Sequence, residues 1–318
     1  MDDRAGLHRA VDRLNECDVA IVQHEYGVYG GTDGDEILLL MDALQVPCIV
    51  VLHTVPLEPT AHQRAVLEAV VARADSAVTM SVTGRDRLAA GYDVDMGKVC
   101  IIAHGAPVAS AAPATAATFR ASRPTILTWG LLGPGKGIEW GIEAMATLRD
   151  LHPMPRYLIA GQTHPKVATR DGEAYRNSLQ GLVRRLGLAD VVAFDGHYCD
   201  APSLARLVQS ADVVLLPYDS LDQVTSGVLI EAVAAGKPVV ATRFPHAVEL
   251  LSSGAGIVVT HRNPEEIAVA LRTVITQGEL AAAMARSAAQ TAPMLSWAAV
   301  ADQYRSLAAR LITASIAA

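Results

Sequence analysis

Ten short runs of β-branched and apolar residues punctuate this chain, and helical patterns fill the intervals between them. The first four are 18–23 (DVAIVQ), 47–52 (PCIVVL), 76–80 (SAVTM) and 98–102 (KVCII). Helical patterns at 4–15, 35–45, 60–73 and 83–90 separate them. Six more follow at 125–129, 156–160, 191–195, 212–216, 238–242 and 256–259, with helices between them and a last helix at 296–312. Strand and helix in strict alternation build βα units, and such units pack as parallel sheets covered by helices. Between the two groups lies "APVASAAPATAATFRASR" at 106–123, rich in Ala, Pro, Ser and Thr and without apolar periodicity. It reads as a linker between domains. The expected fold is therefore α/β, with two lobes, each built on a parallel sheet. The lobes span 1–107 and 124–295, the linker 108–123, and a terminal helical segment 296–318. In open sheets of this kind, ligands bind at the carboxyl ends of the strands, so the loops after the strands are where chemistry is expected.

Composition permits this and narrows the function. With 318 residues, 51% apolar and 19% charged, the chain can fill two cores. The net charge of −7 is unevenly placed: residues 1–120 hold 9 Lys/Arg against 16 Asp/Glu, and residues 121–318 hold 17 of each. No basic stripe exists for nucleic acid, and an acidic first lobe opposes docking on an anionic membrane. Cys17, Cys48, Cys100 and Cys199 are scattered, without C-x-x-C spacing, as expected of free thiols in a reducing compartment. No apolar run reaches the length of a membrane span, and "MDDRAGLHRA" has no signal-peptide core. The expected location is the cytosol.

The most informative segment is 223–242, "QVTSGVLIEAVAAGKPVVAT". Thr225 and Ser226 offer oxygens that can cap a helix, and Gly227 lets a ligand approach the backbone. Gly236 then ends a short helix before a buried strand. Free amides at such a helix start, aided by its dipole, favour a diphosphate. Glu231 lies four residues after Gly227, on the same helical face, where a carboxylate can accept hydrogen bonds from two ribose hydroxyls. The plain alternative is a helix, turn and strand whose Glu231 is an ordinary surface acid.

This segment resembles the donor-binding signature of GT-B-fold glycosyltransferases of family 4 (glycosyl transferases group 1), which carry E-x7-E followed by small residues and a G-x-P-V-V-A strand. Glu231 matches the second Glu, whereas Gln223 stands at the first, which in the family contacts the transferred sugar. Gln keeps hydrogen bonding and loses charge, so the resemblance implies front-face transfer assisted by the donor phosphate rather than a covalent intermediate on this residue. "GLLGPGKG" at 130–137 resembles the family's G-R-L-x-x-x-K-G, whose Arg and Lys hold the diphosphate. Gly130 and Lys136 match, and Leu131 replaces the Arg. Lys166, Arg170 and Arg243 are possible substitutes. Gly130, Gly135 and Lys136 also fit the first part of a P-loop, but Gly137 stands where a Ser or Thr must hold magnesium. The dinucleotide pattern G-x-G-x-x-G is absent.

Further stretches fit the same family. "LIAGQTHP" (158–165) resembles a strand ending in a Gly-rich turn at Gly161. "VVAFDGHY" (191–198) resembles the lining of the nucleobase pocket, with His197 and Tyr198 nearest the base. "RFPHAVELL" (243–251) carries Glu249 in place of the family's P-E-L element. The 296–304 helix resembles the one that crosses back to the N-terminal lobe. In the first lobe, "VLHT" (51–54) places His53 where the family has a cleft His facing the donor sugar, and a structural His after a strand is the plain alternative. "IIAHGAP" (101–107) resembles the element before the linker, where His104 and Gly105 shape a hinge. "HEYGVYGG" (24–31) fails H-E-x-x-H because Val28 replaces the second His.

The resemblance implies two Rossmann-like lobes and a retaining glycosyltransferase. Its donor is a nucleotide-diphosphate sugar and its acceptor a carbohydrate or small molecule. Its donor-binding residues are Gly130, Lys136, Gly161, Tyr198, Thr225, Ser226, Gly227 and Glu231, and its catalytic residues His53 and Gln223. No metal and no cofactor beyond the donor is implied, since no metal-ligand cluster is visible. Two other readings stand beside it: a nucleotide-sugar-binding protein with little transferase activity, and a sugar-nucleotide epimerase of similar fold. Family members open with a further strand, Gly-rich turn and helix before the "QHEYG"-like turn. The first lobe is therefore expected to be incomplete and truncated, with an unpaired apolar strand edge.

Overall fold

A computed structural model of the chain describes residues 4–108 and 123–317. It divides into two compact units. The first comprises residues 1–104, 222–225 and 298–318, the second 105–221 and 226–297. The division falls between His104 and Gly105; residues 109–122 of the expected linker lie outside the described part.

The first unit runs α1 (Arg4–Asn15), β1 (Ala20–His24), α2 (Ile37–Asp42), β2 (Cys48–Leu52), α3 (Ala61–Arg73), β3 (Ser76–Thr79), α4 (Val82–Gly91) and β4 (Val99–Ile101). The strands form one parallel sheet in the order β1-β2-β3-β4. All five side chains of β2 (CIVVL) are buried because both faces of the sheet are covered. Val50 and Leu52 pack against Val66, Leu67 and Val70 of α3. Ile49 and Val51 pack in a second cluster with Val300 and Leu307. A capping box between Thr60 and Gln63 starts α3. The helix expected at 35–45 is shorter than its pattern. Gly31 and Gly34 take positive φ, so the chain makes a 3-10 turn at Thr32–Gly34 and α2 begins only at Ile37. Among the described residues β1 has one strand neighbour, β2, and is buried and exposed in alternation, with Ile21 43% exposed. The Tyr29 hydroxyl donates to the Gln23 carbonyl of this edge strand.

The second unit holds β5 (Thr125–Trp129), α5 (Ile138–Thr147), β6 (Arg156–Ala160), α6 (Pro165–Asp171), α7 (Ala174–Arg185), β7 (Val192–Asp195), α8 (Ala201–Ser210) and β8 (Val213–Leu216). It continues with α9 (Gly227–Ala234), β9 (Val239–Thr242), α10 (Pro245–Leu251), β10 (Gly256–Val259), α11 (Pro264–Thr276) and α12 (Gly278–Thr291). The last helix, α13, spans Trp297–Ala317, and residues 298–317 belong to the first unit. Six parallel strands take the order β10-β9-β8-β5-β6-β7. The chain winds outward from β5 through β6 and β7, then returns to the other side of β5 with β8. The order therefore reverses between β5 and β8, and the loops leaving their carboxyl ends diverge there. All four residues of β8 and of β9 are buried, and α5 and α11 close one face of the sheet through Ile138, Ile142, Met145, Ile267, Leu271 and Val274. Among the described residues no single helix is long and apolar enough to cross a membrane. Only the pair Pro264–Thr276 and Gly278–Leu295, bent by 94°, passes that test together.

Candidate functional site

The reversal point of the second sheet gathers most of the residues singled out above. The loop after β5 needs glycine at three places. Gly130, Gly135 and Gly137 have φ of 122°, 88° and 61°, a region that costs an L side chain dearly. A Cβ at Gly137 would overlap the Pro217 carbonyl oxygen. Gly161, after β6, has φ of 137°, and a Cβ there would overlap the Gly130 carbonyl. The two loops are thus pressed together without side chains between them. Arg176, mostly buried, donates to the Gly161 carbonyl and pairs with Glu173 at 3.2 Å.

This tight turn aims Lys136. Its ammonium lies 4.4 Å from the centroid of the Tyr218 ring, and burial alone lowers its pKa from the usual lysine value. Among the described residues no carboxylate pairs with it within 4 Å. A half-buried cation whose protein partner is a ring face has a strong appetite for an anion. Tyr218 is itself only 1% exposed. It stacks on Phe244 at 5.1 Å, and its carbonyl accepts from the Thr242 hydroxyl at 2.6 Å and from His261 Nδ1 at 2.8 Å.

On the β8 side, α9 begins at the same place. Ser226 is its N-cap, with its hydroxyl accepting from the Leu229 N–H at 3.2 Å. Thr225 does not cap. Its hydroxyl is buried and has no hydrogen-bond partner among the described residues. The Ser226 N–H, expected to be free, donates to Nδ1 of His246 at 2.9 Å. The amides of Gly227 and Val228 are left as the helix start's open donors among the described residues. One turn on, Glu231 accepts from Trp129 Nε1 at 3.1 Å, so one carboxylate oxygen is held and the group is fixed in direction.

The remaining residues lie elsewhere. Tyr198 follows β7 and is 83% exposed, and nothing in the second unit covers it. Leu131, at the missing arginine, is 46% exposed. Of the cations considered in its stead, Arg170 is paired with Asp171 at 2.7 Å, while Lys166 on α6 and Arg243 after β9 are exposed. Gln223 and Thr225 belong to the first unit, where Val224 between them is buried in the core. The Gln223 amide donates to the Thr225 carbonyl at 3.2 Å. His53, also in the first unit, ends β2, and its Nε2 lies 2.7 Å from Gln23 Oε1. Burial lowers its pKa, Glu25 raises it, and His104 lowers it further. Beside it Thr54 donates to Glu25 at 2.5 Å. His24, at the end of β1, is fully buried with neither ring nitrogen hydrogen-bonded among the described residues. Desolvation, then His53, pushes its pKa down to about 4. No group of three His, Cys, Asp or Glu among the described residues is placed to hold a metal ion. Reading the sequence missed Tyr218 and His246. Tyr218 follows β8 and carries no motif, His246 lies in "RFPHAVELL" without a role of its own there, and the pairing of β8 with β9 brings His246 to Ser226 and Tyr218 to Phe244.

Comparison with known proteins bears on the fold and the family. The family model "Glycosyl transferases group 1" matches residues 116–291, more than half of the chain. A D-inositol 3-phosphate glycosyltransferase of Corynebacterium kroppenstedtii is 28% identical over 283 residues, covering 82% of this chain and 61% of the relative. The protein of that name from Streptomyces avermitilis is 30% identical over 252 residues, covering 74% and 52%. The chain thus spans between half and two thirds of the length of these relatives. Among solved structures, Anabaena Alr3699/HepE in complex with UDP superposes with a TM-score of 0.76 at 21% identity, covering 96% of this chain and 82% of that one. Sucrose-phosphate synthase from Thermosynechococcus elongatus gives 0.77 at 20% identity, covering 98% and 80%. The two parallel sheets are those of GT-B glycosyltransferase structures, and the chain belongs to the glycosyl transferases group 1 family.

Proposed function

We propose that this chain transfers a sugar from a nucleotide-diphosphate donor to a hydroxyl of a carbohydrate or small-molecule acceptor, with retention of the anomeric configuration. The observation that carries the reading is Lys136, a half-buried ammonium without a carboxylate among the described residues, together with the open Gly227 and Val228 amides at the reversal of the sheet. A leaving diphosphate supplies the charge this place lacks, and donors fixed before the reaction stabilise it most as the bond to the sugar breaks. Glu231, directed by Trp129, takes the ribose hydroxyls. Gly130 and Gly161 leave room for the donor, Tyr198 stands nearest the base, and the buried Thr225 hydroxyl has a bond to give. Gln223 and His53 act at the transferred sugar. With a neutral Gln at 223, the developing positive charge is met by the leaving phosphate, which also receives the acceptor proton on the same face. The charge of the diphosphate is met by protein groups, so the reaction runs without a metal. The four free cysteines favour a reducing, cytosolic setting.

The test is a thermal-shift screen of nucleoside diphosphates and their sugars, followed by transfer assays. UDP-sugars belong in it because the structural neighbours hold UDP, and a phosphorylated cyclitol belongs among the acceptors because of the relatives' names. A ligand that binds only the folded state raises its melting temperature. No shift with any nucleotide contradicts the reading. A shift with hydrolysis and no transfer favours the second reading, a sugar-nucleotide-binding protein, to which Gln223 and the exposed Leu131 lend support. Epimerisation of the donor without any acceptor favours the third.

A further inference from the structure

His246 lies within "RFPHAVELL" without a role of its own there, yet it is 4% exposed and touches the start of α9. Its Nδ1 accepts the Ser226 N–H at 2.9 Å. An imidazole accepts at Nδ1 only when that nitrogen carries no proton, so the contact defines both the charge state and the tautomer: a neutral ring with its proton on Nε2. Ser226 is held on one further side, by the Leu229 N–H on its hydroxyl. Tyr218 stacks on Phe244, two residues before His246, and presents its face to Lys136. The cap residue of α9 is thereby tied, through α10, to the residue that supports the cation.

We propose that His246 is a positioning residue for the leaving diphosphate. By taking the Ser226 amide it fixes the cap turn, so that the next two amides, of Gly227 and Val228, stay open and pointed at the anion. Without an acceptor at this place the Ser226 N–H is buried and unpaired, and the turn relaxes to find one, carrying the two amides with it. The inference rests on the donor reading above and adds to it a residue that does not touch the donor.

The experiment compares wild type, H246N and H246L, with UDP and inorganic pyrophosphate as probes. Asn retains an acceptor near the place of Nδ1, and Leu fills the volume without one. In calorimetry H246L should bind both probes about tenfold more weakly, the size of one lost buried hydrogen bond, while H246N stays within about twofold of wild type. In transfer assays H246L should raise the donor KM more than it lowers kcat. Equal binding by H246L and wild type, or equal loss in H246N and H246L, overturns the proposal, as does a lowered melting temperature with unchanged affinity. Should H246L fail to fold, nitrogen NMR of the native protein decides: a proton on Nδ1 of His246 overturns the proposal, and a proton on Nε2 alone upholds it. A wild-type protein that binds neither probe overturns the donor reading itself, and this inference falls with it.

Discussion

The Lys136 ammonium stands 4.4 Å from the centroid of the buried Tyr218 ring. One buried ring thus supports a cation on its face. If this place holds an anion as proposed, it is costly while empty. Removing the ammonium should therefore separate stability from function. Lys136→Met is expected to raise the stability of the ligand-free protein by about 0.5–2 kcal/mol and to cut kcat about 100-fold or more, the usual loss of one transition-state donor. Denaturant melts and initial-rate assays on the same preparation measure both. A variant that loses stability and keeps its rate contradicts the assignment.

Glu231 is oriented by Trp129 at 3.1 Å and lies one turn into α9. Glu231→Ala should weaken binding of a nucleoside diphosphate by about 1.5–3 kcal/mol, as for hydrogen bonds to a charged group. It should leave binding of inorganic pyrophosphate nearly unchanged, because pyrophosphate has no ribose. Calorimetry with the two ligands distinguishes a ribose contact from a general loss of fold.

His24 gives the protein a pH dependence of known sign. Its pKa in the folded state is pushed down to about 4 from 6.5, so between those values the unfolded chain binds the proton and the folded one does not. Stability is therefore complete above about pH 6.5 and falls as the pH drops toward 4. The loss reaches on the order of 3 kcal/mol, at 1.36 kcal/mol per pKa unit. His24→Phe keeps a ring against Tyr26, which meets it edge-on at 5.1 Å, and removes the titrating group. Urea midpoints measured across this range should slope for wild type and be flatter for the variant.

Gly161 tests the packing of the two loops. Its φ of 137° and the overlap of any Cβ with the Gly130 carbonyl make Gly161→Ala strained in both torsion and space. A loss of about 1–3 kcal/mol in stability is expected, with weaker nucleotide binding because Gly130 must move. Gly172→Ala, at a φ of 60° but with nothing near its Cβ, is the control for torsion alone. It should cost less and leave binding as it was.

Metal dependence is decided with a chelator. If protein groups alone neutralise the leaving diphosphate, EDTA should leave the transfer rate unchanged. A rate lost in EDTA and regained with magnesium or manganese contradicts the proposed chemistry.

The sequence by itself determined the elements and their order. All ten strands lie where the β-branched runs stand, because a strand such as β2, buried on both faces, must be apolar at every position. The glycines of the Lys136 loop, the capping Ser226 and the position of Glu231 were legible for the same reason. Each answers a local demand of backbone torsion, capping or helical spacing, which a short window of residues expresses in full. Local windows misjudged the bounds of α2, which runs only from Ile37 to Asp42 after the 3-10 turn at Thr32–Gly34. They also left Thr225 and Ser226 equivalent as caps. Only the tertiary structure decided between them, because the choice rests on His246, twenty residues away, which reaches Ser226 through the pairing of β8 with β9. The strand reversal between β5 and β8 belongs to the same class of fact. It depends on which strand pairs with which, and pairing is a long-range hydrogen-bonding choice that no local run of residues encodes.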